Sequence, residues 1–352
     1  MKKRILNYLR CPKCNDALSL TIFEDKGEEI VEGMLLCQKH SIFPIIDSIP
    51  RLLPGVLKYY PDFNKKYEEK IKQYFKEDSG ELNVFKKNFL QTQRRFEFQW
   101  LKWGDQNVIF GHTKEEDTRR ILQMLPRGMT PKNLEGKLIL DAGCGHGRYS
   151  EIFGEMGAEV IAFDLGNGVE VARKRTKHLD NVHVVQGNIM ELPFTKNTFD
   201  FIWSFGVIHH TPDTRMAFKK LAGAVKQDGY MSIWVYPKES SVWELSQKLI
   251  RGITTNLHPR ILYGLCYMAV PLLYFVKTYS NTNPKRNTWK QCAQVIYDWY
   301  SPKYQTHHTE EEISQWYADD GFIQVETLPI KTGVCGRKIQ PQIHTDDDKS
   351  KK

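Results

Sequence analysis

The stretch Leu138-Ile139-Leu140-Asp141-Ala142-Gly143-Cys144-Gly145-His146-Gly147-Arg148 combines an apolar run, a carboxylate and three alternating glycines. Such a run reads as a buried strand that delivers an acid to a tight turn opening into a helix. Glycines at that turn let the backbone pass close under a nucleotide-like ligand. A dinucleotide site requires G-x-G-x-x-G and seats a pyrophosphate on the helix N-terminus, but Arg148 stands where the third glycine belongs. Asp141, just ahead of the turn, repels a pyrophosphate and attracts an ammonium group. The expected ligand is therefore a phosphate-free nucleoside that carries an amino-acid moiety.

Four downstream segments fit the same unit. Glu159-Val160-Ile161-Ala162-Phe163-Asp164 is a second strand ending in an acid, 23 residues after Asp141, where a carboxylate can accept two hydrogen bonds from a ribose diol. Val182-His183-Val184-Val185 leads into Gly187-Asn188-Ile189. Phe199-Asp200-Phe201-Ile202-Trp203-Ser204 runs into Val207-Ile208-His209-His210-Thr211-Pro212-Asp213, and Lys226-Gln227-Asp228-Gly229 turns into Tyr230-Met231-Ser232-Ile233-Trp234-Val235. Over about residues 137–236 this order resembles the class I S-adenosylmethionine-dependent methyltransferases. The resemblance implies that S-adenosyl-L-methionine is the cofactor. Asp141, Gly143 and Gly145 would hold its methionyl end, Asp164 the ribose, and Asn188 with Ile189 the adenine, with Ser204 beside the cofactor. That family usually carries Asp where Asn188 stands; either side chain can accept from an adenine amino group.

These residues need a frame. Alternating strands and helices predict an α/β fold, and the resemblance makes it a Rossmann-like, seven-stranded, mostly parallel sheet with helices on both faces. The strand pattern breaks after Pro237 and resumes at Phe322-Ile323-Gln324-Val325-Glu326-Thr327, with Gly333 to Ile339 as the implied antiparallel last strand. The expected division is a metal-binding ribbon over 1–55, a charged helical segment over 56–128, the core over 129–237 and 321–340, a helical, substrate-selecting insertion over 238–320, and a disordered polar tail over 341–352. Gln91 to Trp100 resembles the segment that many ribbon-bearing methyltransferases place before the core, where an aromatic often covers the cofactor. Phe96 and Trp100 are four apart and share a helix face. They either cover the cofactor, a role assigned to Trp100, or dock this helix on the core.

Cys11-Pro12-Lys13-Cys14 and Cys37-Gln38-Lys39-His40 are two knuckles separated by 22 residues. Four such ligands, Cys11, Cys14, Cys37 and His40, suit a closed, tetrahedral, structural Zn²⁺. Residues 6–53 resemble the small zinc-ribbon family that accompanies or activates RNA and protein methyltransferases. A ribbon of this size either recruits a partner or packs on its own catalytic domain, the metal offsetting a small core.

Of the 352 residues, 41% are hydrophobic, enough for a real core, and the seven cysteines are an odd number with no secretory signal at the N-terminus. That favours reduced thiols or metal ligands and a cytoplasmic location. The formal charge is +8, and residues 240–303 alone hold eight bases against Glu244 and Asp298. Within them, Ile261 to Val276 is an uncharged, largely apolar run between Arg260 and Lys277, too short and proline-interrupted for a transmembrane helix. Two readings stand: a buried helix pair closing the active site, or peripheral membrane contact through residues 240–303.

Methyl transfer from a sulfonium is an in-line displacement that asks the protein to position the acceptor and exclude water. If a base is needed, His209, His210 and Asp213 stand at the expected switch point, either imidazole able to take a proton. His209 and His210 are the candidate catalytic pair. The competing expectation is that they cap the turn or pack beneath the cofactor. Tyr304, His307 and His308 precede a Thr309–Glu312 capping-box spacing and are candidates to face the acceptor. The leading expectation is a methyltransferase for a small-molecule, glycan or lipid-linked acceptor. The alternatives are an RNA methyltransferase that uses the ribbon and positive charge for binding, and a non-catalytic cofactor-binding scaffold.

Overall fold

The computed structural model describes residues 1–39, 42–74, 85–104, 106–109, 111–275 and 288–339, with side chains from Arg94 in the helix that begins at Phe85 and up to Pro271 in the helix that ends at Phe275. His40, Lys277, Lys285, Arg286 and the tail 341–352 lie outside the described residues.

The strands are β1 (Ser19–Lys26), β2 (Glu29–Leu36), β3 (Ile42–Ile46), β4 (Ile49–Leu52), β5 (Leu138–Ala142), β6 (Glu159–Asp164), β7 (Val182–Gly187), β8 (Phe199–Phe205), β9 (Val225–Trp234), β10 (Phe322–Thr327) and β11 (Gly333–Lys338). They form a single sheet in the order β1-β2-β3-β4-β7-β6-β5-β8-β9-β11-β10. The expected seven strands are thus part of an eleven-stranded sheet. The four N-terminal strands are antiparallel to one another and join the edge of the parallel part where Arg51 and Leu52 align with Gln186 and Gly187. From β4 through β9 neighbours run parallel; β11 is antiparallel to both β9 and β10.

Helices follow as α1 (Pro61–Lys66), α2 (Glu68–Lys72), α3 (Phe85–Trp103), α4 (Lys114–Met124), α5 (Pro131–Leu134), α6 (Arg148–Glu155), α7 (Gly168–Thr176), α8 (Thr214–Ala224), α9 (Ser241–Thr254), α10 (Pro259–Phe275), α11 (Trp289–Tyr300) and α12 (Glu310–Asp319). The central strands are apolar at nearly every position because both faces are covered. Alternation then divides their side chains. Leu138, Leu140, Ile161 and Phe163 join one core with α8 and α12 residues such as Phe218, Leu221 and Tyr317. Ile139, Val160 and Ala162 join the opposite core with Ile121 of α4, Phe153 of α6 and Ala172 of α7.

Two features bear on the expected divisions. Ile5, Leu9, Cys11, Leu18 and Ile30 belong to the same core as Leu140, so the N-terminal piece packs on the sheet rather than standing apart. Arg51, fully buried on β4, locks this junction by donating to Gln186 at 3.2 Å and to Glu170 at 2.5 Å. The inserted unit also ends earlier than residue 320. Ile313, Trp316 and Tyr317 of α12 lie in the main core, and the Tyr317 hydroxyl donates to the carbonyls of Met231 and Val334. The insertion's own core is Leu262, Cys266 and Val270 of α10 with Ala293 and Tyr297 of α11, closed by Trp103 of α3.

Candidate active site

The sheet reverses direction of growth between β5 and β8, and the crevice beyond the carboxyl ends of those strands is where open α/β sheets bind ligands. The glycine turn lies there. Gly143 has φ 89° and an added Cβ would fall 2.3 Å from the Val207 side chain, so neither its conformation nor its space admits a side chain. Gly145 has φ 52°, and its Cβ would strike the Trp100 indole at 2.9 Å.

Asp141 is buried, with Oδ2 accepting a 2.5 Å hydrogen bond from Ser150. Burial pushes its pKa up to about 7, the Ser150 bond opposes this, and the Asp164 charge adds to the rise. Asp164 accepts from the backbone N–H of Gly145 at 2.9 Å and of Gly166 at 2.8 Å. Burial still holds its pKa above the ordinary value. Each Asp164 oxygen keeps a further lone pair for a hydroxyl donor. Two acids at adjacent strand ends, both held above their ordinary pKa by burial, form a cradle suited to a ligand with a cationic group and a diol.

Other expected cofactor residues have prior engagements. Asn188 Oδ1 accepts from Met190 N at 3.0 Å and so caps the 3-10 turn Ile189–Glu191, leaving its amide N–H groups as the more available edge. Ile189 is buried. Ser204 is fully buried and its hydroxyl donates to the Ala142 carbonyl at 2.9 Å. That hydroxyl stitches β8 to β5 instead of facing a ligand.

Helix α3 lies over the crevice. Trp100 stacks on His146, centroids 4.8 Å apart at 11°, and its indole fits where Cβ atoms on Gly145 and Gly168 would collide with it. One turn earlier, Phe96 meets His210 edge-on at 5.2 Å. Glu97 accepts from Asn167 at 2.7 Å, and Gln99 donates to Asp298 on α11 at 3.0 Å. The shared face of Phe96 and Trp100 therefore spans from the glycine turn to the end of β8.

Arg148 was noted in the sequence only as a missing glycine. It is buried and donates to the carbonyls of Gln106, Asn107 and His112 and to the Asp117 carboxylate at 3.1 Å, fastening the chain after α3 to the turn. Its signal was the polar residue at an otherwise tightly packed turn.

His209 and His210 form a 3-10 turn, Ile208–His210, and both are buried. His210 Nδ1–H donates to the Tyr304 carbonyl at 2.9 Å, which makes Nε2 the acceptor nitrogen. Burial, followed by the charge of Arg251, lowers its pKa to about 3, with the Tyr304 bond opposing. His209 packs on Tyr236 at 4.0 Å; neither ring nitrogen has a hydrogen-bond partner, and burial drives its pKa well below the ordinary value. Both imidazoles are neutral at physiological pH, and burial makes them weak bases. They sit in an aromatic wall with Phe96, Tyr236 and Trp299, the last stacked on Tyr236 at 4.8 Å. Tyr236 donates to Asp298 at 2.9 Å, which burial keeps above its ordinary pKa.

The remaining candidates are placed differently. Asp213 is exposed and caps α8, accepting from Met216 N at 2.8 Å. Tyr304 reaches His210 through its carbonyl. His307 Nε2 accepts from the Gln305 side-chain amide at 3.2 Å, and His308 bridges Glu312 and Thr306 at 3.0 Å each. Thr309 caps α12, but Glu312 turns to His308 in place of closing the box.

At the N-terminus the sulfurs of Cys11, Cys14 and Cys37 lie within 4.8 Å of one another, and Cys14 to Cys37 is 3.6 Å. A tetrahedral ion with Zn–S bonds of ~2.3 Å sets sulfurs about 3.8 Å apart, whereas a disulfide is far shorter. The three thiols fit such an ion; His40 lies outside the described residues.

A family model described as a methyltransferase domain matches residues 140–233. A demethylmenaquinone methyltransferase of Staphylococcus haemolyticus is 34% identical over 99 residues, 27% of this chain and 41% of the relative. One of Bacillus licheniformis is 31% identical over 123 residues, 34% of this chain and 49% of the relative. The chain thus spans less than half the length of these curated relatives. The crystal structure of a methyltransferase from Aquifex aeolicus dependent on S-adenosylmethionine aligns over 65% of this chain and 100% of its own at 16% identity, with a TM-score of 0.36. The matched domain and the named relatives support an S-adenosylmethionine-dependent methyltransferase.

Proposed function

We propose that this chain transfers a methyl group from S-adenosyl-L-methionine to a small, largely apolar acceptor bearing an unsaturated or aromatic ring. The carboxylates of Asp141, buried, and Asp164, half-buried, carry the cofactor part of this reading. Burial, with the Asp164 charge adding, raises the cost of the Asp141 charge, and a ligand that brings an ammonium to Asp141 and a diol to Asp164 relieves it. When bound, the cofactor supplies an electrophilic methyl on a sulfonium. The chain's own residues bind and orient. Gly143 and Gly145 give the ligand backbone-close approach, and Trp100 shields the turn from water.

The acceptor part rests on the wall formed by Phe96, His209, His210, Tyr236 and Trp299. Such a surface favours a flat ring, and the demethylmenaquinone named for the relatives belongs to that class. The family match ends at 233, so of this wall Phe96, Tyr236 and Trp299 lie outside it while His209 and His210 lie within. With both histidines neutral, the site suits an acceptor that is already nucleophilic or ionised.

In the same reading, Cys11, Cys14 and Cys37 hold a structural Zn²⁺ that stiffens the N-terminal strands, His40 being the fourth ligand by sequence. The test of function is transfer of labelled methyl into cell extract separated into lipid, small-molecule, RNA and protein pools. Label in the lipid or small-molecule pool is expected. Label confined to RNA or protein would overturn the acceptor class, and cofactor binding with no transfer into any pool would leave a scaffold.

A further inference from the structure

Helix α9 is packed with its polar side inward. Gln247 is buried and donates to the Tyr300 hydroxyl at 2.8 Å, Arg251 donates to the carbonyls of Trp299 at 2.8 Å and Pro302 at 2.6 Å, and Thr254 donates to the Tyr300 carbonyl at 2.8 Å. Its apolar residues Val242, Leu245, Leu249 and Ile253 fall on one helical line and point to solvent, Val242 being 80% and Ile253 69% exposed. This inverts the ordinary arrangement of a surface helix. The next helix, α10, buries Leu262, Cys266 and Val270 against α11 and exposes Ile261, Leu265 and Met268.

The charges on these two helices are mostly positive. Residues 241–275 contain Lys248, Arg251 and Arg260 against the single acid Glu244, and the Glu244 carboxylate accepts from the Glu239 backbone N–H at 3.3 Å. Between α3 and α10 is an open cleft of about 530 Å³ lined by Phe98, Leu101, Lys102 and Arg260. Lys102 Nζ lies 4.0 Å from the Tyr263 ring centre, over an aromatic floor. Burial lowers the Lys102 pKa, and the charges of Lys290 and Arg260 lower it further, as expected where cations gather. Arg260 at the cleft adjoins Ile261 of the exposed α10 stripe. No described helix is long and apolar enough to cross a membrane.

We propose that the outward apolar stripes of α9 and α10, with Lys102 and Arg260 beside them, dock the protein on an anionic phospholipid surface. Leucine and isoleucine side chains enter the boundary between headgroups and acyl chains, and the cleft cations meet lipid phosphates. Charge complementarity selects this occupant: an apolar face rimmed by Lys102 and Arg260, which have no acidic partner among the described residues, matches an anionic bilayer, whereas a second copy would set those cations against each other.

The test is co-sedimentation of the full chain with phosphatidylglycerol vesicles and with phosphatidylcholine vesicles, alongside calorimetry with S-adenosylmethionine. Wild type is expected on the phosphatidylglycerol vesicles. Leu249→Glu with Ile253→Glu, and separately Lys102→Glu with Arg260→Glu, should each weaken that binding by roughly tenfold or more, while cofactor affinity stays at the wild-type value. No wild-type binding to anionic vesicles would overturn the proposal. So would equal binding by the stripe variant, or a wild-type dimer in analytical ultracentrifugation that the stripe variant abolishes. Because cofactor binding is read separately, failure here and failure of the methyl-transfer reading are distinguishable.

Discussion

The Trp100 indole lies parallel to the His146 imidazole, ring centres 4.8 Å apart at 11°. His146 belongs to the glycine turn, neither of its ring nitrogens has a hydrogen-bond partner, and burial with the nearby Arg175 and Arg148 keeps it neutral. The stack therefore rests on two uncharged faces, and it fastens α3 to the turn that is assigned to the cofactor.

Replacing Trp100 should loosen that cover. Trp100→Ala is expected to weaken S-adenosylmethionine binding by about tenfold, the worth of one aromatic pair of ~1.5 kcal/mol. Trp100→Phe should recover most of the loss. Isothermal calorimetry checks both, and unchanged affinity in Trp100→Ala would remove Trp100 from the cofactor site.

Asp141 gives a pH signature. Its folded pKa, about 7, lies above the ordinary 3.8, so its protonated form stabilises the apo fold at low pH. That contribution is lost as pH rises through about 7. Thermal melts of Asp141→Asn minus wild type should therefore grow in favour of the variant between pH 4 and pH 7 and then level off. Cofactor binding, which needs the carboxylate, should weaken by about tenfold per pH unit below 7 in wild type. A flat wild-type profile would count against the ammonium contact.

His210 should not set the pH–rate profile near neutrality. Its pKa of about 3 and its Nδ1–H bond to Tyr304 keep it neutral over the working range. His210→Gln is expected to lower kcat by less than the ~100-fold typical of a lost general base, with the profile shape unchanged. Loss of a limb near pH 6.5 in the variant would restore a base role.

Metal analysis of the purified protein should find one zinc per chain. A strong chelator, or Cys14→Ser, should lower the Tm, because the thiol cluster ties the start of the chain to the β1–β2 region. Zinc-free protein with an unchanged melt in chelator would refute this.

Arg148→Met should destabilise the fold by ~3 kcal/mol, because it removes the 3.1 Å partner of buried Asp117, leaving it Arg120 at 3.4 Å, and strips three carbonyls of their donor. Denaturant titration reads the loss, and the double change Asp117→Leu with Arg148→Met should regain a large part of it.

The glycine turn and the two strand-end acids were legible because their information is local: strand, acid, turn and helix follow one another within a few residues. The alternation of strands and helices was legible in the same way, while the count of seven strands came from the family resemblance. The extension to eleven was not legible, because it depends on Arg51 meeting Gln186 and Glu170, 135 and 119 residues away. The engagement of Ser204 was not legible for the same reason: its hydroxyl donates to the Ala142 carbonyl only once β5 aligns beside β8.

By itself the sequence determined the glycine turn between a strand and a helix, the succession of core strands along the chain and the cysteine spacing, since residue type and separation along the chain suffice for each. Only the tertiary structure decided which groups remain available. It buried His209 and His210 and lowered their basicity, spent the Ser204 hydroxyl between strands and turned the polar side of α9 inward. Burial and hydrogen bonding are set by neighbours distant in the chain, and they govern whether a side chain can meet a ligand, a proton or a lipid.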